Sequence, residues 1–211
     1  IGVRLVGSEM CIRDRYGVDQ LRYYLTKEVS LGNDGNVSMV NLKNCINNDL
    51  ANNFGNLCQR VFSFIEKNCG GKLPKPGKLD QIDAKLLENL TKKVPELILD
   101  MNNQNLNEYI KKVVEFSFNA NKYVNDLQPW ALKKTNIERM NTILFTVVTQ
   151  IKNITILLSP IIPISSEKIL DVMNLKEEEK KIKAINTMDV FNHNIEFKKI
   201  SILFKKIDND N

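Results

Sequence analysis

The sequence predicts an all-α fold, a bundle of four to five helices followed by an irregular C-terminal tail. Three observations predict it. Apolar residues recur three and four positions apart over most of the chain, which is the period of one helix face. The periodic segments are separated by short breaks rich in Gly, Pro and Asn. The composition, 43% hydrophobic and 26% charged over 211 residues, suffices for the core of one large domain or of one domain with appendages.

Each element follows from its own pattern. Val18, Leu21, Tyr24 and Leu25 give a short helix over 19–28. The segment 30–35, SLGNDG, has loop chemistry, and Ser38 is placed to cap the next helix. That helix is expected to run over 39–68, with Leu42, Ile46, Leu50, Phe54, Leu57, Val61 and Ile65 as its apolar stripe. Gly70, Gly71, Pro74 and Pro76 end it. Asp80 caps a helix over 81–101 with Leu86, Leu87, Leu90, Val94, Leu97 and Ile98 inward, kinked or interrupted at Pro95. A further helix over 105–127 turns Leu106, Ile110, Val113, Val114, Phe116, Phe118 and Tyr123 inward and breaks at Gln128-Pro129-Trp130. The segment 137–158 is apolar on most sides and is expected to be central. Pro160 and Pro163 end it, and Ser165 or Ser166 caps a last helix to about residue 173. From residue 174 the pattern changes. Glu177 to Lys181 reads as a solvated charge run, and the apolar cluster at 200–204 is expected to fold back onto the bundle.

Several functions are excluded. The single histidine, His193, leaves no basis for a His-centred triad or a His-rich metal site. None of the nine glycines builds a GxGxxG or GxxxxGK[ST] loop. Cys11, Cys45, Cys58 and Cys69 form no CxxC pair, so no metal site is expected. Cys45 and Cys58 read as small buried hydrophobes of a reducing, cytoplasmic compartment. The apolar stretch 142–164 is interrupted by Gln150, Lys152, Pro160 and Pro163 and reads as a buried helix, not a membrane span. No nucleophile has a base beside it, so no catalytic residue is assigned. A net charge of +5 permits a polyanionic partner without requiring one.

Two features could carry recognition. Asn48, Asn52, Asn56 and Arg60 step by four along the side of the long helix opposite its apolar stripe, flanked by Gln59 and Ser63. Amides and guanidinium read base edges well, although the Asn- and Lys-rich composition of the whole chain could also place them there. Trp130, the one tryptophan, follows Pro129 and precedes Lys133 and Lys134. It serves either to staple two helices or as a stacking platform for an unpaired base, the lysines meeting phosphates.

Tyr16 to Leu25, Gly35, Asn47 to Leu57, and Arg60 closely resemble the part of methionyl-tRNA synthetases that follows their catalytic domain. Ala120 to Tyr123 with Gln128-Pro129-Trp130, Leu158 to Pro163, and Leu203 to Ile207 (with lysine where the family has proline) resemble later parts of the same family's bundle. The resemblance covers about residues 16–207. It implies the all-helical anticodon-binding domain of a class I synthetase whose whole enzyme uses ATP and Mg to join methionine to tRNA, with no cofactor in this chain. It further implies that Asn56 and Arg60 contact the first anticodon base, a cytosine, and that Trp130 stacks in the site. Asn52, Gln59, Lys133 and Lys134 are expected to support the RNA. The implied partners are a methionine-accepting tRNA with a CAU anticodon and the catalytic domain of the same enzyme, with no membrane and no DNA. Residues 1–15, in which 6–15 look like translated sequencing adaptor, are expected to be a non-native leader. Residues 16–38 are expected to be a remnant of the connection to the catalytic domain, 39–173 the bundle and 174–211 the tail. Without HIGH- or KMSKS-type motifs the chain is not expected to aminoacylate alone. Two alternatives stay open: a helical protein-interaction scaffold, which would bury Trp130, and the bundle of a leucyl, isoleucyl, valyl or cysteinyl enzyme.

Overall fold

The structure, a computed structural model, describes residues 16–28, 38–186, 196–197 and 201–207. The expected leader, the loop 30–35, Cys11 and His193 lie outside the described residues. The helices are α1 (Val18–Glu28), α2 (Met39–Cys45), a π-helical segment (Ile46–Gly55), α3 (Asn56–Asn68), α4 (Gln81–Thr91), α5 (Val94–Asn102), α6 (Leu106–Leu127), α7 (Pro129–Leu132), α8 (Ile137–Leu158), α9 (Pro163–Val172) and a 3₁₀ turn (Ile182–Asn186). Among the described residues there is no strand, only an isolated bridge between Lys72 and Glu196. The expected all-α bundle is therefore observed.

At the centre lies α8, packed against α3, α4, α6, α7, α9 and the 3₁₀ turn. Its buried side chains run from Met140 to Leu158. By length and hydropathy α8 could cross a membrane, but 94% of its apolar window is buried inside the bundle.

The long helix 39–68 forms, and Ser38 caps it by accepting the Asn41 N–H. Its middle, however, winds as a π-helix. The wider turn was not expected, because a stripe stepping by three and four is compatible with either winding. Gly55 closes the segment. A Cβ there would lie 2.8 Å from the Leu50 carbonyl oxygen and 3.0 Å from Phe204 Cδ2. Part of the tail docks at this place: Phe204 is buried, whereas Ile202 of the same expected cluster is exposed, and the Asn47 side chain both donates to the Ile207 carbonyl and accepts the Ile207 N–H, each at 2.8 Å.

The expected helix 81–101 is two helices, α4 and α5. Pro95 does not kink a continuous helix. It sits in the first turn of α5, where a missing N–H costs nothing. Ile98 and Phe118, expected inward, are exposed, as is Val18; the buried α6 positions include Tyr109, Ser117, Ala120 and Val124 instead. Neither Ser165 nor Ser166 caps α9. Pro163 starts that helix, and Asp19 of α1 accepts the Ser165 N–H at 2.6 Å. Arg22 donates to the carbonyls of Ile161 and Pro160, so α1 pins the turn between α8 and α9. In the tail, Ala184 and Ile185 are buried, an anchor that its sparse apolar pattern did not predict.

Candidate functional site

The site is built where α3, α6 and α7 meet. Pro129 disfavours α conformation in the residue before it, so α6 stops at Leu127. Gln128 takes a left-handed conformation (φ 45°), which re-aims the chain and restarts it with Pro129 at the head of α7. Trp130 thereby lands beside α3. The Arg60 guanidinium carbon lies 5.2 Å from the centroid of the Trp130 ring, a cation–π contact. Arg60 also donates to Asn125 Oδ1 of α6 at 3.0 Å. Trp130 remains 41% exposed, so it is not the buried staple that a pure scaffold requires.

Beneath this pair a cavity of about 300 Å³ is lined by Arg60, Val61, Phe64, Val124, Pro129, Trp130 and Leu144. Its floor is apolar and its rim is a cation on an aromatic ring. Such a site can hold a flat, partly polar ring and keep its edge within reach of guanidinium donors.

Asn56 lies one turn before Arg60 and is exposed; Asn52 is exposed a further turn back, within the π segment. Gln59 is half-buried. Lys133 donates to Asn68 Oδ1 at the end of α3, at 2.7 Å. Lys134 is exposed on the same turn. The structure thus brings Arg60 and Trp130 into contact, with Asn56 on the adjoining turn, while Lys133 belongs to the far end of α3.

Sequence reasoning missed the partner helix. Ser117, Asn121 and Asn125 step by four along α6 and run beside the long helix. Asn53, buried, donates to Ser117 Oγ at 2.6 Å, and Asn121 donates to the Asn53 carbonyl and side-chain oxygens. Asn125, one turn on, takes Arg60. These polar contacts set the rotation of α3 against α6. The four-residue spacing within α6 was visible, but nothing local says which helix it faces.

A buried ion pair ties α4 to α8. Asp83 of α4 is fully buried, and its carboxylate accepts from both terminal nitrogens of Arg139 (2.5 and 2.9 Å) and from the Tyr123 hydroxyl (2.5 Å). Burial pushes the Asp83 carboxyl up, but the hydrogen bonds of Arg139 and Tyr123 outweigh this and hold it below the usual range. Cys45 and Cys58 are buried thiols, and burial raises Cys45 to about 12, so neither is a nucleophile at neutral pH. Among the described residues no three His, Cys, Asp or Glu side chains gather as a metal site.

Residues 73–211 match the family profile of the anticodon-binding domain of methionyl-tRNA ligase, and residues 4–62 match that of class I tRNA synthetases of the methionine type. The chain belongs to the methionyl-tRNA synthetase family. Methionine–tRNA ligase of Rickettsia felis is 38% identical over 175 residues, covering 82% of this chain and 34% of that protein. The Brucella suis enzyme is 38% identical over 167 residues, covering 79% and 32%. Among solved structures, free-state methionyl-tRNA synthetase of Mycobacterium tuberculosis superposes with a TM-score of 0.89 at 28% identity, over 95% of this chain and 41% of that one. The complex of the same enzyme with methionyl-adenylate superposes with a TM-score of 0.88 at 29% identity, over 93% and 39%. The chain spans about a third of the length of these curated relatives. The family match also separates it from the leucyl, isoleucyl, valyl and cysteinyl enzymes.

Proposed function

We propose that this chain recognises the anticodon of a methionine-accepting tRNA, as the anticodon-binding part of a methionine–tRNA ligase. The observation that carries the reading is the Arg60–Trp130 contact at 5.2 Å over an open apolar cavity, with Asn56 exposed one turn away. An unstacked base stacks on the indole or enters the cavity, which is sequence-tolerant and worth about 1–3 kcal/mol. Its edge then meets polar groups that are not tolerant. Cytosine offers an exocyclic amine and two acceptors, whereas uracil replaces the amine with a carbonyl and one acceptor with N–H. The Asn56 amide oxygen accepts from the amine and the Arg60 guanidinium donates to the acceptors. Uracil would set carbonyl against carbonyl, leaving a desolvated acceptor unpaired.

Asn52, Gln59, Lys133 and Lys134 are supporting contacts in this proposal, Lys133 only after giving up Asn68. In this proposal the CAU anticodon is the part of the tRNA that the chain reads, while the catalytic domain and the ATP and Mg of the ligation reaction belong to the whole enzyme. No step of recognition in this chain runs through ATP or Mg. The M. tuberculosis relative, in its methionyl-adenylate complex, supports adenylate chemistry for the family.

The test is discrimination, not affinity alone. Asn56→Ala should reduce the preference for a CAU stem-loop over a UAU stem-loop by about tenfold, the worth of one polar base contact of about 1–2 kcal/mol. A preference unchanged in both Asn56→Ala and Arg60→Met would refute the assignment.

A further inference from the structure

Of the exposed amides on the long helix, Asn44, Asn48, Asn52 and Asn56 step by four and lead to Arg60. In an α-helix a four-residue step advances about 40° around the axis, so a row from Asn44 to Arg60 would wind by about 160° and pass out of line. The π segment Ile46–Gly55 corrects this. With about 4.4 residues per turn, a four-residue step there falls back by about 33°. The α and π stretches nearly cancel, and the row stays within about 20° of one line. π turns are rare and gather at functional positions; here the winding aligns five recognition-type side chains.

The amides on this line differ from their neighbours. Asn47 is engaged by the Ile207 backbone, and Asn53 by Ser117 and Asn121. Among the described residues, Asn44, Asn48, Asn52 and Asn56 have no side-chain partner. Composition alone would not sort satisfied from unsatisfied amides by face. The line starts at a polar cavity of about 260 Å³ lined by Lys27, Glu28, Asn41, Asn44, Cys45, Asn48 and Asp49, whose two carboxylates flank one lysine and leave the neutral amides as the groups able to meet the RNA backbone. It ends at the Arg60–Trp130 cavity.

We propose that this amide line is the docking surface for the sugar–phosphate backbone of one strand of the RNA stem that carries the anticodon loop. The proposal rests on the anticodon reading above and extends it. Neutral amides offer donor and acceptor together, which fits ribose 2′-hydroxyls and phosphate oxygens without demanding a base sequence. Their spacing of about 5–6 Å per turn is comparable with the distance between successive phosphates. The line is continuous with the cavity that takes the loop base, so a loop bound there carries its stem onto the helix.

The experiment uses the full chain with Asn44 and Asn48 changed, since neither belongs to the base-reading pocket. Asn44→Ala/Asn48→Ala removes the contacts, and Asn44→Asp/Asn48→Asp adds charge that repels phosphate. Both positions are exposed, and circular dichroism checks the fold. Two probes are titrated: a CAU stem-loop with a five-base-pair stem, and the seven-nucleotide loop alone. The wild type should bind the stem-loop about tenfold more tightly than the loop. The alanine pair should lose most of that gain and the aspartate pair all of it, with loop affinity and cytosine-over-uracil preference unchanged. Equal stem-loop affinity in wild type and both variants overturns the amide line while leaving the anticodon reading standing. Equal losses on the stem-loop and the bare loop overturn it too, because the effect is then not the stem's. A wild type that binds neither probe refutes the anticodon reading and this proposal with it.

Discussion

Replacing Gly55 with alanine sets two effects of opposite sign against each other. Gly55 has ordinary helical dihedrals (φ −63°, ψ −43°), so on helix propensity alone alanine would stabilise by about 1 kcal/mol. The π winding reverses this. The new Cβ would sit 2.8 Å from the Leu50 carbonyl oxygen and 3.0 Å from Phe204 Cδ2. The first neighbour is backbone and cannot swing aside. The second is a ring that is itself buried against the core. Overpacking of this kind costs about 1–3 kcal/mol, and contact with backbone places it at the upper end. The net expectation is destabilisation by about 1–2 kcal/mol, a fall in Tm of about 4 °C for a chain of this size. Thermal and urea unfolding of wild type, Gly55→Ala, Phe204→Ala and the double variant measure it. The cost of Gly55→Ala should shrink, but not vanish, in the Phe204→Ala background, because the Leu50 contact remains. A Gly55→Ala chain more stable than wild type would mean that the segment is an ordinary α-helix, and the alignment of the amide line would fall with it.

Arg139→Met should cost about 3 kcal/mol by urea unfolding, because it leaves the buried Asp83 carboxylate without its cation. The Asp83 carboxyl is held below its ordinary range in the fold, so its stabilisation is full above the unfolded pKa of about 4 and is lost as pH falls through the lower folded value; Asp83→Asn should flatten that acid limb of the stability curve. Lys152 is the reverse case. Burial lowers it to about 8, so the unfolded chain binds its proton more tightly, and wild-type stability should rise between pH 8 and about 10.5 relative to Lys152→Met. Trp130→Ala should weaken anticodon stem-loop binding by about 1–3 kcal/mol with little loss of thermal stability, as befits a half-exposed ring.

Much of this was legible because the information is local. Residues 137–158 are apolar on most sides, and α8 spans Ile137–Leu158. Ser38 caps because its hydroxyl accepts an N–H three residues on, a purely sequential relation. Asn56, Arg60 and Trp130 stood out by spacing and residue type, and the fold puts Arg60 on Trp130. What escaped depends on tertiary partners. Asp19 takes the N-terminus of α9 from 146 residues away, which displaced Ser165 from the capping role. Ile98 and Phe118 fit an apolar stripe, but among the described residues both stay exposed. The π segment is invisible to a period of three and four. Asn125, which fixes Arg60, carries no mark that tells it from the many other asparagines.

The central claim, that this chain reads an anticodon at Trp130, is tested most directly by its own fluorescence, since Trp130 is the sole tryptophan. A CAU stem-loop titrated at low salt should quench it saturably, and a UAU stem-loop should do so only at about tenfold higher concentration. No quenching by either loop, or equal quenching by both, would contradict the account.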